Sequence, residues 1–236
     1  MEDSAKVLYD TGISIFGLGN LQITSYMVTA TVITIILCIF AVYISKKCTD
    51  TGTPGVIQNA VEWAVGGLYG YFAGVIGEDK IEKYFPFVGT LFVFILISNY
   101  VGLLPMAGHV PGFAAPTSTL GFTIGLAIMV FVLTHVSGFK YNGIHYLKHF
   151  ITPFAFMLPL LLLDELCKPL SLSLRLYGNV MGGETVISQL SNMVPLIVPM
   201  IMQALELLLG FLQALVFSTL ACVYIAESTE GTGEHE

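Results

Sequence analysis

The chain has 236 residues, of which 55% are hydrophobic and only 11% are charged, against about 25% in ordinary soluble domains. Its formal net charge is −7 and it has a single arginine and no basic patch, which argues against a nucleic-acid-binding protein. Long runs lack Asp, Glu, Lys and Arg; they cover residues 11–45, 84–139, 185–205 and 207–226. Because a membrane-spanning helix needs roughly 20 mainly apolar residues, these runs predict an all-α polytopic membrane protein rather than a soluble domain.

The first predicted element is an apolar helix over residues 25–45. Its apolar part is longer than that of a typical signal peptide, and the segment before it begins with acidic residues. The helix ends in Lys46 and Lys47 without a small-residue cleavage site. We therefore predict a retained transmembrane helix.

The middle of the chain predicts one interfacial helix followed by a helical hairpin. Residues 56–77 are weakly polar and amphipathic and include Trp63, a residue type that prefers the headgroup level of a membrane. A charged patch over 78–83 follows. Two apolar runs, 84–104 and 117–137, then predict the second and third spans, joined by an uncharged loop rich in Gly and Pro.

The last third predicts two long helices within a single membrane domain that comprises residues 1–236. The first of them covers 152–184 and carries several charged residues. A polar, proline-containing corner over 188–199 overlaps the start of the last helix, predicted over 190–226. An acidic tail, 227–236, completes the chain.

The distribution of lysine predicts the orientation of the chain in the membrane. The lysines that flank the first three spans are Lys46, Lys47, Lys80, Lys83, Lys140 and Lys148. Three successive spans place all of these on one side, whereas the Gly/Pro loop between the second and third spans has none. By the positive-inside rule the lysine-bearing breaks are cytoplasmic and the N-terminus is outside. The C-terminal tail is then cytoplasmic, provided that both final helices cross the membrane.

Arg175 is the most unusual residue because it lies in an apolar part of the 152–184 helix. A charged residue at membrane depth costs about 2.5 to 3.5 kcal/mol on insertion scales and is a functional candidate by default. Helical spacing places one polar stripe on a single face: Lys168, Ser171, Arg175, Asn179 and Gly182. The other positions around Arg175 are leucines: Leu166, Leu170, Leu172, Leu174 and Leu176. Glu184 is expected near the end of this helix.

The last helix carries a matching stripe of polar and small side chains. Its members are spaced by three or four residues: Gln203, Glu206, Gly210, Gln213 and Phe217. One carboxylate, two amides and a glycine therefore face one way along about three turns. Glycine at such a position lets a neighbouring helix come close.

Together the two stripes suggest a path for small cations that is interrupted by a fixed positive charge. Carboxylates can pass protons or bind a small cation, whereas an arginine repels cations and blocks leakage along the path. A simpler interpretation is that Arg175 forms structural ion pairs with Glu184 or Glu206. Another is that Lys168 or Arg175 extends to the headgroups and that Asn179 and Gln213 are ordinary interhelical hydrogen-bonding groups.

The remaining reactive side chains give no sign of a cofactor or metal site. His145 and His149 are spaced for a metal ion, but no third ligand accompanies them, and His135 is expected to be a packed polar residue. The four scattered cysteines are interpreted as small hydrophobic residues. The chain has no GxxxxGK[ST] loop, so we do not expect it to act on ATP itself.

Two segments resemble subunit a of F-type ATP synthases. Residues 168–184, KPLSLSLRLYGNVMGGE, are similar to a family signature that has an arginine, an asparagine four residues later and a glutamate nine residues later. Residues 206–217, ELLLGFLQALVF, resemble the family's final helix, with Gln213 at its glutamine position. Weaker matches cover residues 85–92, the pair Ser98–Asn99 and residues 114–117. Glu206 falls where members of the family vary.

This resemblance implies a stator subunit that lies against a rotating ring of c subunits, together with the b-subunit peripheral stalk and other ATP synthase subunits. Two half-channels would load and unload the ring carboxylates with protons or, in some members, sodium ions. Arg175 would face the ring between them. Glu184, Glu206 and Gln213 would line the outer half-channel, with Asn179 near Arg175. Lys168, Ser171 and Gln203 are expected to support the polar faces of the two helices.

The resemblance also implies that the two final helices are strongly tilted, so the expected fold is three transmembrane helices, an interfacial helix and two long tilted helices. The expected location is a bacterial inner membrane, since no transit segment precedes the first span. Two other functions stay open on the sequence alone. One is a stand-alone cation channel or secondary transporter, although no internal repeat typical of many transporters is visible. The other is a membrane scaffold whose buried charges only pair with one another.

Overall fold

The computed structural model describes residues 25–47, 55–104, 115–142, 158–193 and 197–229. Within these ranges the chain is helical and contains no strand. Six α-helices follow one another: α1 (Ser25–Lys47), α2 (Val56–Ile76), α3 (Glu78–Gly102), α4 (Leu120–Asn142), α5 (Leu158–Met193) and α6 (Ile197–Thr229). A short 3-10 helix, Pro116–Ser118, precedes α4.

Four of the six helices, α1, α3, α4 and α6, are long and apolar enough to cross a membrane. The helix α5 is not one of these four, since it carries Asp164, Glu165, Lys168, Arg175 and Glu184 along its length. Much of the apolar surface of α1 is exposed, and only its side chains Thr29, Ala30 and Ile33 are buried. Such outward-facing apolar helices are the expected structure of a polytopic membrane protein.

The junction of α2 and α3 shows why the charged patch at 78–83 is helical. Gly77 has φ of +94°, a conformation that glycine adopts without strain, and its N–H donates to the Ala73 carbonyl at 2.9 Å to end α2. Glu78 and Asp79 then occupy the first turn of α3, where negative charge is favoured by the helix dipole. The second span therefore begins at Glu78, six residues before the predicted 84–104 segment.

The remaining helix bounds differ from the predictions by a few residues. The predicted span 117–137 is a 3-10 turn followed by α4, because Pro116 starts a tight turn before the regular helix. Residues 152–157 of the first long helix lie outside the described residues, and α5 continues nine residues beyond Glu184. The last helix begins at Ile197 rather than at residue 190, and most of the tail 227–236 lies outside the described residues.

The core lies between α3, α4, α5 and α6, with α2 packed on its edge. Its fully buried side chains include Phe72, Ile81, Val88, Ile95, Val130, Leu172, Leu176, Phe217 and Ile225. At one end of this bundle, Lys80 at the start of α3 donates to the carbonyl oxygen of Thr229, the last residue of α6, at 3.2 Å. Lys83 lies 4.4 Å from the ring centroid of Tyr141, near the end of α4. We call this the Lys-rich end.

Candidate functional site

Arg175 lies at the middle of α5, the 36-residue helix from Leu158 to Met193. Its neighbours Leu172 and Leu176 are fully buried against the core, whereas the Arg175 side chain is exposed on the outside of the chain. None of the ion pairs among the described residues includes Arg175. The structural pairing with Glu184 or Glu206 is therefore not formed, and the guanidinium is presented outward, far from either helix end.

Small residues lie beside Arg175 on the exposed face of α5. Ser171, Gly178 and Gly182 are exposed on the same side of α5, and a Cβ atom at either glycine would meet nothing within 4 Å. Lys168 and Asn179, also predicted for this stripe, are only half-buried. Sequence reasoning did not include Gly178, although its i+3 spacing from Arg175 places it there. Another helix could approach this surface closely.

The polar stripe of α6 faces into the bundle. Glu206 and Gln213 are each 8% exposed, Gly210 is buried and Phe217 is fully buried. Gln203, at the start of the stripe, is half-buried. The predicted stripe is thus one face of α6, and its carboxyl and amide groups are covered by the other helices.

Two carboxyl groups meet where α5 and α6 pack together. The Glu206 carboxyl group lies directly on the backbone of Gly183, so that a Cβ atom at residue 183 would overlap it. Glu184 Oε1 lies 3.0 Å from the position of a Cβ at Gly102 in α3, and the hydroxyl of Ser118 interacts with this carboxyl group. The charges of Glu184 and Glu206 also act on each other. Glycine at these positions is what allows the carboxyl groups to reach the helix backbones.

Asn99 of α3 connects this region to two further elements. Its side-chain amide Nδ2 donates to the Gly210 carbonyl of α6 at 3.0 Å, and its Oδ1 accepts from the Thr117 hydroxyl at 2.9 Å. Asn99 is 4% exposed, and both bonds are buried. The sequence offered Asn99 and Thr117 only through resemblance, without a role. We call Asn99, Thr117, Ser118, Glu184 and Glu206 the carboxyl cluster.

The register of α5 against α6 places the predicted amide groups between two fixed contacts. Glu206 contacts Gly183 at one end, and Glu227 Oε2 lies 3.2 Å from Lys168 Nζ at the other, so the two helices run antiparallel. Between these levels, Asn179 Nδ2 and Gln213 Nε2 are buried and have no acceptor among the described residues. Buried amide groups are usually hydrogen-bonded. These two donors therefore mark places for water or for a group from another chain.

Chemically, the arrangement combines groups that attract small cations with one that repels them. The carboxyl cluster and the two amides offer oxygen atoms to a proton or hydrated cation, whereas Arg175 is always protonated and acts as a fixed positive charge. Within the described ranges, no three His, Cys, Asp or Glu side chains are placed to hold a metal ion. His145 and His149 lie outside the described residues. His135 packs on Phe131, with ring centroids 4.0 Å apart.

Comparison with known proteins gives consistent matches over most of the chain. Residues 26–226 match the family described as ATP synthase A chain. The ATP synthase subunit a of Geobacter sulfurreducens is 38% identical over 200 residues, which cover 83% of this chain and 84% of that protein. That of Trichlorobacter lovleyi is 39% identical with the same coverage. ATP synthase subunit a 3 of Pelobacter propionicus is 37% identical over 86% of this chain and 87% of its own length.

Proposed function

Because the chain belongs to the family of ATP synthase subunit a, we propose that it moves ions past a ring of c subunits. Membership of the family and the four apolar helices identify it as a multi-pass component of the membrane sector. In the proposal, ion flow through this chain drives rotation of the ring, and other subunits make ATP. The chain itself is non-catalytic.

The exposed, unpaired side chain of Arg175 is the observation that supports the proposal. An unpaired guanidinium at the middle of a long helix, on an exposed face of Ser171, Gly178 and Gly182, has no stabilising partner within the described chain. A carboxylate on a passing c subunit is a suitable partner, because the arginine favours its ionised form and the small residues allow close approach. The same charge would repel cations and keep two half-channels apart.

The carboxyl cluster is the proposed lining of the outer half-channel. Glu184 and Glu206 lie on the side of Arg175 away from the Lys-rich end, and the positive-inside rule assigns the Lys-rich end to the cytoplasm. The unpaired amides of Asn179 in α5 and Gln213 in α6 lie between this level and that of Arg175. We propose protons as the ion, a bacterial inner membrane as the location, and an external N-terminus with a cytoplasmic C-terminus. Other expected partners are the b-subunit stalk and the lipid bilayer.

Replacing Arg175 by Ala in the complete complex tests this function. We expect loss of ATP-driven proton pumping into vesicles, and an increased passive proton leak, because the fixed charge between the half-channels is gone. Arg175→Lys should restore little, since a lysine ammonium lacks the planar fork that matches a carboxylate. Leu170→Ala, an exposed leucine of the same helix, is the control. Normal coupled pumping by Arg175→Ala would contradict the proposal.

The stand-alone transporter is separated by a second measurement. The purified chain is placed in vesicles without any other subunit, and proton and sodium flux are recorded under an imposed gradient. We expect no coupled transport, because the c subunits, whose carboxylates would interact with Arg175, are absent. Substrate-dependent transport by the chain alone would favour the transporter instead.

A further inference from the structure

A small cavity lies at the Lys-rich end, between α4, α5 and α6, away from the carboxyl cluster. Its polar lining comes from Thr134 of α4, Glu165 and Lys168 of α5 and Tyr224 of α6. The cavity volume is about 10 Å³, which is room for about one water molecule. A water in such a place needs two or more polar partners, so the chemistry of the walls decides whether the cavity is wet.

Two polar groups at this cavity lack their usual partners. Thr134 is 5% exposed, and its hydroxyl has no hydrogen-bond partner within the part of the chain that the structure describes. Pro169, which also lines the cavity, has no N–H to donate to the Glu165 carbonyl as a helical residue normally would. Buried polar groups are normally satisfied by protein or by ordered water. A water bound in the cavity would supply a partner for the Thr134 hydroxyl.

Glu165 is the charged wall of the cavity; Lys168 of its own helix and His135 of α4 face it, and Lys168 connects it to groups of α6. Its Oε2 accepts from Lys168 Nζ at 3.1 Å, and its Oε1 lies 3.6 Å from His135 Nε2 of α4. Lys168 in turn contacts Glu227 of α6 at 3.2 Å and lies 5.5 Å from the ring centroid of Tyr224. Glu165 is thus the carboxylate that borders the water site, and a lysine balances its charge.

We propose that this cavity holds a relay water and that Glu165 exchanges protons with it at the Lys-rich end of the ion path. In each exchange an O–H bond of a protonated water breaks while an O–H bond forms on a Glu165 oxygen, and the reverse step returns the proton. The inference rests on the proposed function, and it adds a water site and a residue that neither the polar stripes nor the resemblance included.

The test uses two adjacent carboxylates. Glu165→Gln and the control Asp164→Asn, whose side chain is exposed, are each introduced into the complete complex in vesicles. ATP-driven pumping is measured while the pH on the Lys-rich side is varied and the other side is held constant. We expect Glu165→Gln to slow pumping about tenfold, because proton exchange at this end would have a higher energy barrier. Its rate should also depend less on the pH of that side, whereas Asp164→Asn should match the unmodified complex.

Thr134→Val provides a second variant that keeps side-chain volume and charge. It should slow pumping by about threefold, because one partner of the relay water is removed while assembly is unaffected. Equal rates and pH profiles for Glu165→Gln and Asp164→Asn would overturn the inference. If Glu165→Gln does not assemble, an unchanged rate and profile for Thr134→Val would overturn it. The Arg175→Ala variant separates the proposed function from the relay. Normal pumping by Arg175→Ala would refute the proposed function. Loss of pumping in Arg175→Ala together with normal pumping in the Glu165 and Thr134 variants would refute only the relay.

Discussion

Carboxyl groups lie in opposite environments at the two ends of the α5–α6 pair. In the carboxyl cluster, the Glu206 carboxyl group lies on the Gly183 backbone and the Glu184 carboxyl group lies near Gly102, and neither forms an ion pair among the described residues. At the Lys-rich end, Glu165 and Glu227 both contact Lys168 within 3.2 Å. A carboxyl group without a cation can hold a proton, whereas a neighbouring cation favours the ionised form. Under the proposed function, the first end offers carboxyl groups that have no neighbouring cation, whereas the second offers carboxylates whose charge a lysine balances.

Glu184→Gln should give the largest effect on pumping, because it removes a carboxyl group that forms no ion pair with a lysine. We expect ATP-driven pumping to fall on the order of 100-fold, at the lower end of the contribution of a positioned acid or base. Glu227→Gln, which changes a largely exposed and paired carboxylate, should pump normally. Comparable losses in the two variants would remove the distinction between the two ends.

Asn99→Leu tests whether the carboxyl cluster is held by hydrogen bonds rather than by ion pairs. The change leaves the buried Thr117 hydroxyl without its acceptor, a cost of about 1 to 3 kcal/mol in folded-state stability. The complex should lose coupled pumping at a lower temperature. Ser98→Ala is the matched control, since this adjacent buried hydroxyl has no partner among the described residues. Equal heat resistance of the two variants would show that the Asn99 bonds do not hold the cluster.

Gly183→Ala asks how tightly the Glu206 carboxyl group is confined. The added methyl group overlaps that carboxyl, and overpacking of this kind costs about 1 to 3 kcal/mol. We expect pumping to fall about tenfold as Glu206 is displaced. Gly125→Ala, at an open position on α4, should leave pumping unchanged. A normal rate in the Gly183 variant would mean that the contact does not constrain Glu206.

Lys168→Met should have the smallest effect on folded-state stability, and that effect should be confined to the Lys-rich end. The lysine connects α5 to the end of α6, but Glu227 is largely exposed, and such pairs contribute up to about 1 kcal/mol each. Amide hydrogen exchange over residues 224–229 should quicken, with no change around Glu206. Lys83→Met, an exposed lysine in α3, should leave both regions unchanged. Faster exchange around Glu206 would show that the two ends are coupled.

Helical spacing was sufficient to predict the polar face of α6 because that face packs within the chain. Glu206, Gln213 and Phe217 all lie inward as their spacing indicated. The same reasoning on α5 identified the polar stripe that contains Arg175, but it did not predict which side of α5 packs against the core. Leu172 and Leu176 are buried, yet Leu170 and Leu174 are exposed, so apolar residues alone did not reveal which side meets the core. Helical periodicity shows which side chains share one face of a helix, but not whether that face packs against the protein, the lipid or another chain.

The contacts that complete the carboxyl cluster could not be predicted from spacing. The Asn99 bond to Gly210 joins residues 111 positions apart, and Thr117 and Ser118, predicted as the start of the third span, instead form a 3-10 helix. Glu184 was expected near a helix end because Gly182 and Gly183 follow the favourable helix formers. The helix continues since Gly183 packs against Glu206, and tertiary contacts override the weak propensity of glycine.

The two contacts between α5 and α6 have a mechanical consequence. Glu206 on Gly183 and Glu227 on Lys168 fasten the helices at points 15 residues apart along α5, which is about 22 Å at 1.5 Å per residue. Two antiparallel rods joined at separated points resist sliding and twisting far better than rods joined once. In a rotary machine, the stationary part must withstand the torque of the rotor without yielding. Arg175, placed between the fasteners, would keep its position under load.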